Sequence, residues 1–141
     1  MRELRMADTR TQEKRHEIMS KVRSKDTAPE LLVRQLVFGM GYRYRLHVAD
    51  LPGKPDIVMP GRKKIIDVRG CFWHGHRRCK YGNLPKSHKA FWITKIARNR
   101  ERDEENARRL KRLGWQVLVV WQCELKKPEK ARTKLYEFIE S

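Results

Sequence analysis

Apolar and polar positions along the chain first fall into a helical pattern after Thr27-Ala28-Pro29-Glu30. Thr27 can serve as N-cap, Pro29 sits in the first turn, and Glu30 is placed to complete a capping box. Leu32, Leu36 and Met40 then form an apolar stripe, widened by Leu31, Val33 and Val37, and Gly39 and Gly41 end it. Residues 42–47 alternate aromatic, basic and apolar side chains, which predicts a half-buried strand before the turn at 51–55. Two further strands, 56–59 and 64–69, are expected to form a hairpin through Pro60-Gly61. A long helix over 88–112, capped by Ser87 and stopped by Gly114, precedes a core strand over 115–121 and a closing amphipathic helix over 128–139. Helix, three strands, helix, strand and helix in that order predict an α/β or α+β sandwich around a mixed sheet, with one folded domain over 26–141. Residues 1–25 are charged and only loosely periodic, with Ile18, Met19 and Val22 as the one apolar cluster, so a basic arm leading into a short helix is expected there.

Charge then narrows the class of partner. The 141 residues carry 34 Lys+Arg against 17 Asp+Glu, a formal charge of +17. A field of that sign draws in a polyanion by releasing its counterions, and the basic residues are spread along the chain rather than gathered in a tail. DNA or RNA is the expected partner, ahead of an acidic protein or a lipid surface. The longest apolar run, 117–121, is far below the ~20 residues of a membrane span. The charged N-terminus does not read as a signal peptide, which makes the expected compartment the cytoplasm.

Three cysteines in a reducing compartment do not build a disulfide framework. Cys71, His76 and Cys79 fall in one loop with the spacing C-x4-H-x2-C, and Cys123 lies just past the last strand. Three thiolates and an imidazole are a usual tetrahedral zinc set. A metal tying loop 70–87 to the sheet would order a segment with little apolar material of its own. His74 could replace His76 as the fourth ligand, and whichever histidine is left over is free for other chemistry. With four protein ligands the zinc would be structural.

Lys54-Pro55-Asp56, a hydrophobic strand, a turn and Asp67-Val68-Arg69 follow the PD-(D/E)xK nuclease pattern, in which a carboxylate at a hairpin strand end helps hold Mg2+ against a phosphate. By itself a Pro-Asp pair before a strand also reads as an ordinary turn. Gly70-Cys71-Phe72-Trp73-His74-Gly75-His76 is more specific. It resembles the signature of the very-short-patch (Vsr) DNA mismatch repair endonucleases. The resemblance runs from Met19 through 23–27, Pro29-Glu30, 51–56, Phe91-Trp92, Lys95-Ile96, Asn99 and Asp103 to 114–121, in the right order over most of the chain.

That resemblance implies a restriction-endonuclease-like, PD-(D/E)xK-like mixed sheet flanked by helices with a structural zinc site. It implies an enzyme that nicks one strand of duplex DNA beside the T of a T:G mismatch left by 5-methylcytosine deamination; a monomer associated with a prokaryotic nucleoid is expected, since nicking one strand needs only one active site. By resemblance Asp56 and the backbone carbonyl of Val68 hold Mg2+, and His74 activates the attacking water. Glu30 and Asp103 match the acidic residues that orient metal-bound water and the histidine. The capping box alone would also account for Glu30. Asp103 lies within the apolar stripe of its helix, where a carboxylate needs a partner, and an arginine could supply one. Phe72, Trp73 and Trp92 match intercalating aromatics, Met19 a wedge from the opposite groove, and Lys95 and Asn99 groups that hydrogen-bond the mismatched pair; core packing is the alternative for Trp92. The chain departs from the family pattern at Asp67 and Arg69. Arg69 is read as stabilising or binding the phosphate, while Asp67 either ligates metal or faces away. Two competing readings are a restriction or homing enzyme acting on matched duplex, and a zinc-containing DNA-binding module without catalysis.

Overall fold

The computed structural model describes residues 27–141, so the predicted basic arm, its short helix and Met19 lie outside the described residues. Thr27 caps helix α1 (Ala28–Gly39), its hydroxyl accepting from the Glu30 N–H while the Glu30 carboxylate accepts from the Thr27 N–H, the predicted capping box. The face of α1 turned to the core is centred on Val33 and Val37, both fully buried; Leu32, Leu36 and Met40 flank it.

Strands β1 (Arg45–Leu46), β2 (Ile57–Met59), β3 (Lys64–Arg69) and β4 (Gln116–Trp121) form one four-stranded sheet in that spatial order. The first two pairings are antiparallel and β3–β4 is parallel. The parallel pair needs a long crossover, which the loop after β3 and helix α2 (Lys89–Arg112) provide. Helix α3 (Pro128–Glu140) closes the chain.

Period-two alternation divides the sheet between two apolar layers. Ile57, Met59, Ile66, Val68 and Val120 point to one face and pack with α1 and α3 through Val33, Val37, Ala131, Leu135 and Ile139. Val58 and Ile65 point to the other and meet Leu110 of α2, with Trp115 and Val117 against them. Asp67 and Arg69 share the face of Ile65 by the same alternation, which puts their side chains on the α2 side of the sheet. The architecture is a mixed α/β sandwich with helices on both faces.

Two expectations change. Only Arg45 and Leu46 of 42–47 pair as a strand, and both are exposed: this is an edge, held by backbone bonds rather than by burial. Ser87 does not cap α2; His88 precedes the helix in a left-handed conformation (φ 54°) without a side-chain cap. A 3-10 turn over Gln122–Lys126 follows β4, with Leu125 buried beneath it. Lys64 was not expected inside, yet it is only 4% exposed. Its Nζ donates to the carbonyls of Phe138 (2.6 Å), Ile139 (3.0 Å) and Ser141 (2.7 Å) and to Ser141 Oγ (2.9 Å). A cation is thereby set where the helix dipole of α3 is negative and its last carbonyls lack partners.

Candidate active site and metal centre

The ends of β2 and β3, the turn before β2 and the middle of α2 enclose a cleft of about 550 Å3 lined by Glu30, His47, Asp56, Asp67, Val68, Arg69, His74 and Asp103 among others. Gly53 lets the turn approach α2: its φ is +78°, and a Cβ there would meet the Asn106 side chain at 2.9 Å.

Asp56 is buried at the start of β2, where its Oδ2 accepts the Val68 N–H at 3.0 Å. Glu30, 4% exposed, reaches the same region from the first turn of α1. Burial first, then the charges of Glu30 and Asp67, push the Asp56 carboxyl up to about 8. Two carboxylates in so dry a place resist joint ionisation unless a cation lies between them. The capping box and the cleft therefore use the same Glu30 side chain, and Arg34 Nη2 lies 3.4 Å from its Oε2.

His74 enters from the loop after β3, and its Nδ1 is 2.7 Å from Asp103 Oδ2. A carboxylate can only accept, so Nδ1 carries a proton, and in the neutral ring it is Nε2 that has the lone pair. Asp103 thus has its partner in the loop, not an arginine. Arg69 donates from Nε to Asp67 Oδ2 at 2.9 Å and lies over the Trp121 ring, 5.8 Å from its centroid.

Sulfur and nitrogen ligand atoms of Cys71, His76, Cys79 and Cys123 all lie within 4.8 Å of one another, a group able to hold a metal ion. His76, not His74, joins the cysteines. Its ring stacks on Trp121 at 4.0 Å between centroids, with planes 7° apart, and its Nδ1 is 3.5 Å from Cys123 Sγ. Pairing of Arg69 with Trp121 at the end of the parallel ladder brings Cys71 and Cys123, two residues beyond each strand, side by side. Burial pushes the Cys71 thiol up to about 12 and raises that of Cys123, so metal binding there must displace protons. Gly75 closes the loop at φ +61°, and a Cβ on it would run into Ile96 and come within 2.5 Å of Arg100 Nε. Arg100 instead donates to the Gly75 carbonyl from Nε (3.0 Å) and Nη2 (2.6 Å), pinning the loop to α2.

Beside this loop Phe72, Trp73 and Trp92 form an edge-to-face cluster, with centroids 5.1 to 5.6 Å apart. Each is half-buried. Phe91, which the sequence did not single out as a wedge, extends the cluster at 5.0 Å from Trp92 and is 52% exposed. Lys95 is half-buried one turn along α2. Asn99 faces the same loop. It is 6% exposed, its Nδ2 donates to the Trp73 carbonyl at 2.8 Å, and its Oδ1 accepts from Arg102 at 2.9 Å. The amide that the resemblance assigns to the mismatched pair holds the aromatic loop in the protein alone.

His47 is the cleft residue that sequence reasoning missed. At the end of an alternating stretch it looked like one more strand position, and only the β1–β2 pairing carries it to Asp56.

A buried carboxylate pair, a carboxylate-oriented imidazole and an arginine around one cleft form a site suited to activating water against an anionic substrate. Among the described residues no helix is long and apolar enough to cross a membrane. The family model of the DNA mismatch endonuclease Vsr matches residues 7–80. The chain is 52% identical over 120 residues to the type II nicking enzyme V.XorIIP of Xanthomonas oryzae pv. oryzae, covering 85% of this chain and 88% of that protein. It is 44% identical over 134 residues to the type II nicking enzyme V.NmeAIP of Neisseria meningitidis, covering 95% of each. Against the DNA mismatch endonuclease Vsr of Escherichia coli, identity is 40% over 125 residues, covering 89% of this chain and 80% of that one. The chain belongs to the Vsr family of DNA endonucleases.

Proposed function

We propose that this protein nicks one strand of duplex DNA next to the T of a T:G mismatch arising from 5-methylcytosine deamination, by Mg2+-assisted phosphodiester hydrolysis on a PD-(D/E)xK-like sheet. The observation that carries this reading is the His74–Asp103 pair set across one cleft from buried Asp56. Names of the relatives, a mismatch endonuclease and nicking enzymes, support it.

Mg2+ prefers oxygen donors, and Asp56 together with Glu30 offers buried carboxylate oxygens whose joint ionisation a cation would relieve. Asp56 and the Val68 carbonyl would hold the ion, since the carbonyl shares the edge of β3 from which the Val68 N–H reaches Asp56. Bound there, the ion supplies Lewis-acid polarisation of a phosphate oxygen and lowers the pKa of coordinated water. Glu30 orients water at that place. His74, with Nε2 unprotonated, accepts a proton from the attacking water, and Asp103 stabilises the imidazolium that forms. Arg69, steadied by Asp67 and Trp121, offers its remaining N–H groups to the phosphate's developing charge. Cys71, His76, Cys79 and Cys123 suit zinc: tetrahedral bonds of about 2.3 Å place donors about 3.8 Å apart, within the span observed. A closed set of four leaves that ion structural. Phe72, Trp73 and Trp92 wedge into the stack beside the mismatch, with Lys95 and Asn99 contacting the mismatched pair and Met19 in the opposite groove.

Duplexes identical except for T:G or C:G, incubated with the protein and Mg2+, test the proposal. A nick in the T strand of the first alone is expected, and Asp56→Asn should bind but not cut. Equal cleavage of both duplexes would favour an enzyme of matched DNA, and binding without any cleavage a non-catalytic module.

A further inference from the structure

We propose that His47 is a positioning residue for the metal-binding carboxylate, presenting a neutral N–H donor to whatever oxygen sits at Asp56 Oδ1. The inference rests on the reading of Asp56 as a metal ligand. Arg34 Nη2 lies 2.9 Å from His47 Nε2. A guanidinium has no lone pair with which to accept, so Nε2 must be the acceptor. The single proton of the ring is then on Nδ1. That nitrogen faces Asp56 Oδ1 at 4.0 Å.

The two oxygens of Asp56 are therefore treated differently. Oδ2 is fixed by the Val68 N–H at 3.0 Å. Oδ1 faces a donor across a gap too long for a direct hydrogen bond, the kind of gap that a bound oxygen spans. Backbone geometry agrees with a built arrangement. His47 is held at φ 46°, a left-handed conformation that is strained for a non-glycine residue. Its N–H donates to the Asp56 carbonyl at 3.2 Å, which continues the β1–β2 ladder one step past Leu46 and fixes the ring over the cleft. Arg34 in turn lies 3.4 Å from Glu30 Oε2, so one guanidinium ties the second buried carboxylate to the tautomer of the histidine that faces the first. A neutral donor orients an oxygen at Asp56 without adding a positive charge beside the cation that this carboxylate is to hold.

Mn2+ titrated into zinc-loaded protein, with the free ion read by electron paramagnetic resonance, tests this apart from turnover. Loss of an outer hydrogen-bond partner commonly weakens metal binding about 10–100-fold, and His47→Leu is expected to fall in that range. His47→Asn places an amide N–H where Nδ1 was and should recover affinity to within a few-fold of wild type. His47→Gln reaches toward Arg34 instead and should not. Wild-type affinity in His47→Leu, or recovery by Gln but not by Asn, overturns the proposal. Asp56→Asn run alongside separates the two readings: if it binds Mn2+ as wild type does, Asp56 is not the ligand and the reading of the cleft itself fails.

Discussion

Replacing Asp103 by Asn keeps the size of the side chain and removes its charge from a position 2.7 Å from His74 Nδ1. Two effects follow. An amide can rotate its NH2 toward Nδ1, which forces the proton to Nε2 and leaves no lone pair to accept from water. The imidazolium formed during reaction also loses its counter-charge. At this separation Coulomb's law gives about 6 kcal/mol for an effective dielectric of about 20 and about 1.5 kcal/mol in bulk water. The side chains are 30% and 17% exposed, so the cost lies between these limits, about 3–4 kcal/mol. That corresponds to a fall of roughly 100- to 1,000-fold in the chemical step. Single-turnover nicking of a T:G duplex measures it, with gel-shift binding to the same duplex in the absence of Mg2+ expected to be unchanged. A variant that binds normally and nicks within threefold of the wild-type rate would refute the assignment of His74 and Asp103 as base and orienting group.

Other consequences are open to direct measurement. Stripping the Cys71–His76–Cys79–Cys123 group with a chelator, or Cys123→Ser, should lower the unfolding midpoint by on the order of 15 °C, taking about 4 kcal/mol for an ion held at 1,000 times its Kd; calorimetry against zinc concentration checks this. Lys64→Met leaves carbonyls at the end of α3 without their donor and should cost about 2–4 kcal/mol in urea unfolding, the burial cost of the ammonium offsetting part of its bonds. Zinc-loaded, Mg2+-free protein should lose stability as pH rises from 5 to 8.5. The Asp56 carboxyl sits at about 8 when folded against an ordinary 3.8, so the folded state holds the extra proton, and its stabilising effect disappears as pH passes the folded value. Asp56→Asn should flatten that slope, and unfolding midpoints at the two pH values decide. Gly75→Ala must strain a φ of +61° and displace Ile96 or Arg100, and should cost about 1–3 kcal/mol while slowing nicking.

What could be read in advance was whatever local chemistry dictates. Thr27 and Glu30 announce a capped helix because both partners lie within one turn, and the hairpin and its pairing partner β4 show as dense β-branched runs. Cysteine and histidine spacing named all four members of the metal group, because a tetrahedral ion needs few donors and this loop contains little else. What escaped depends on contacts distant in the sequence. Lys64 reads as a solvent-facing strand start until the end of α3, more than 70 residues later, arrives above it. His47 joins Asp56 only through a strand pairing too short to leave an alternating pattern, and Asn99 turns inward because the loop carrying Trp73 passes its face of α2. Spacing preferred His76 to His74 without excluding the latter, and the contacts supply the reason: Asp103 claims one ring and Trp121 stacks on the other.

The position of the cysteines has a bearing on how the sheet finds its alignment. β4 reads Gln-Val-Leu-Val-Val-Trp, so sliding it by one residue along β3 would still offer aliphatic side chains to both apolar layers. Hydrophobic sorting, which penalises a slip in most strands, discriminates weakly here. One step of slip, however, would set Gln122 or Glu124 opposite Cys71 in place of Cys123 and leave the thiolate group incomplete. An ion held by all four donors would thus proofread the β3–β4 alignment. It would favour the register in which Arg69 lies beside Trp121 and Cys71 beside Cys123.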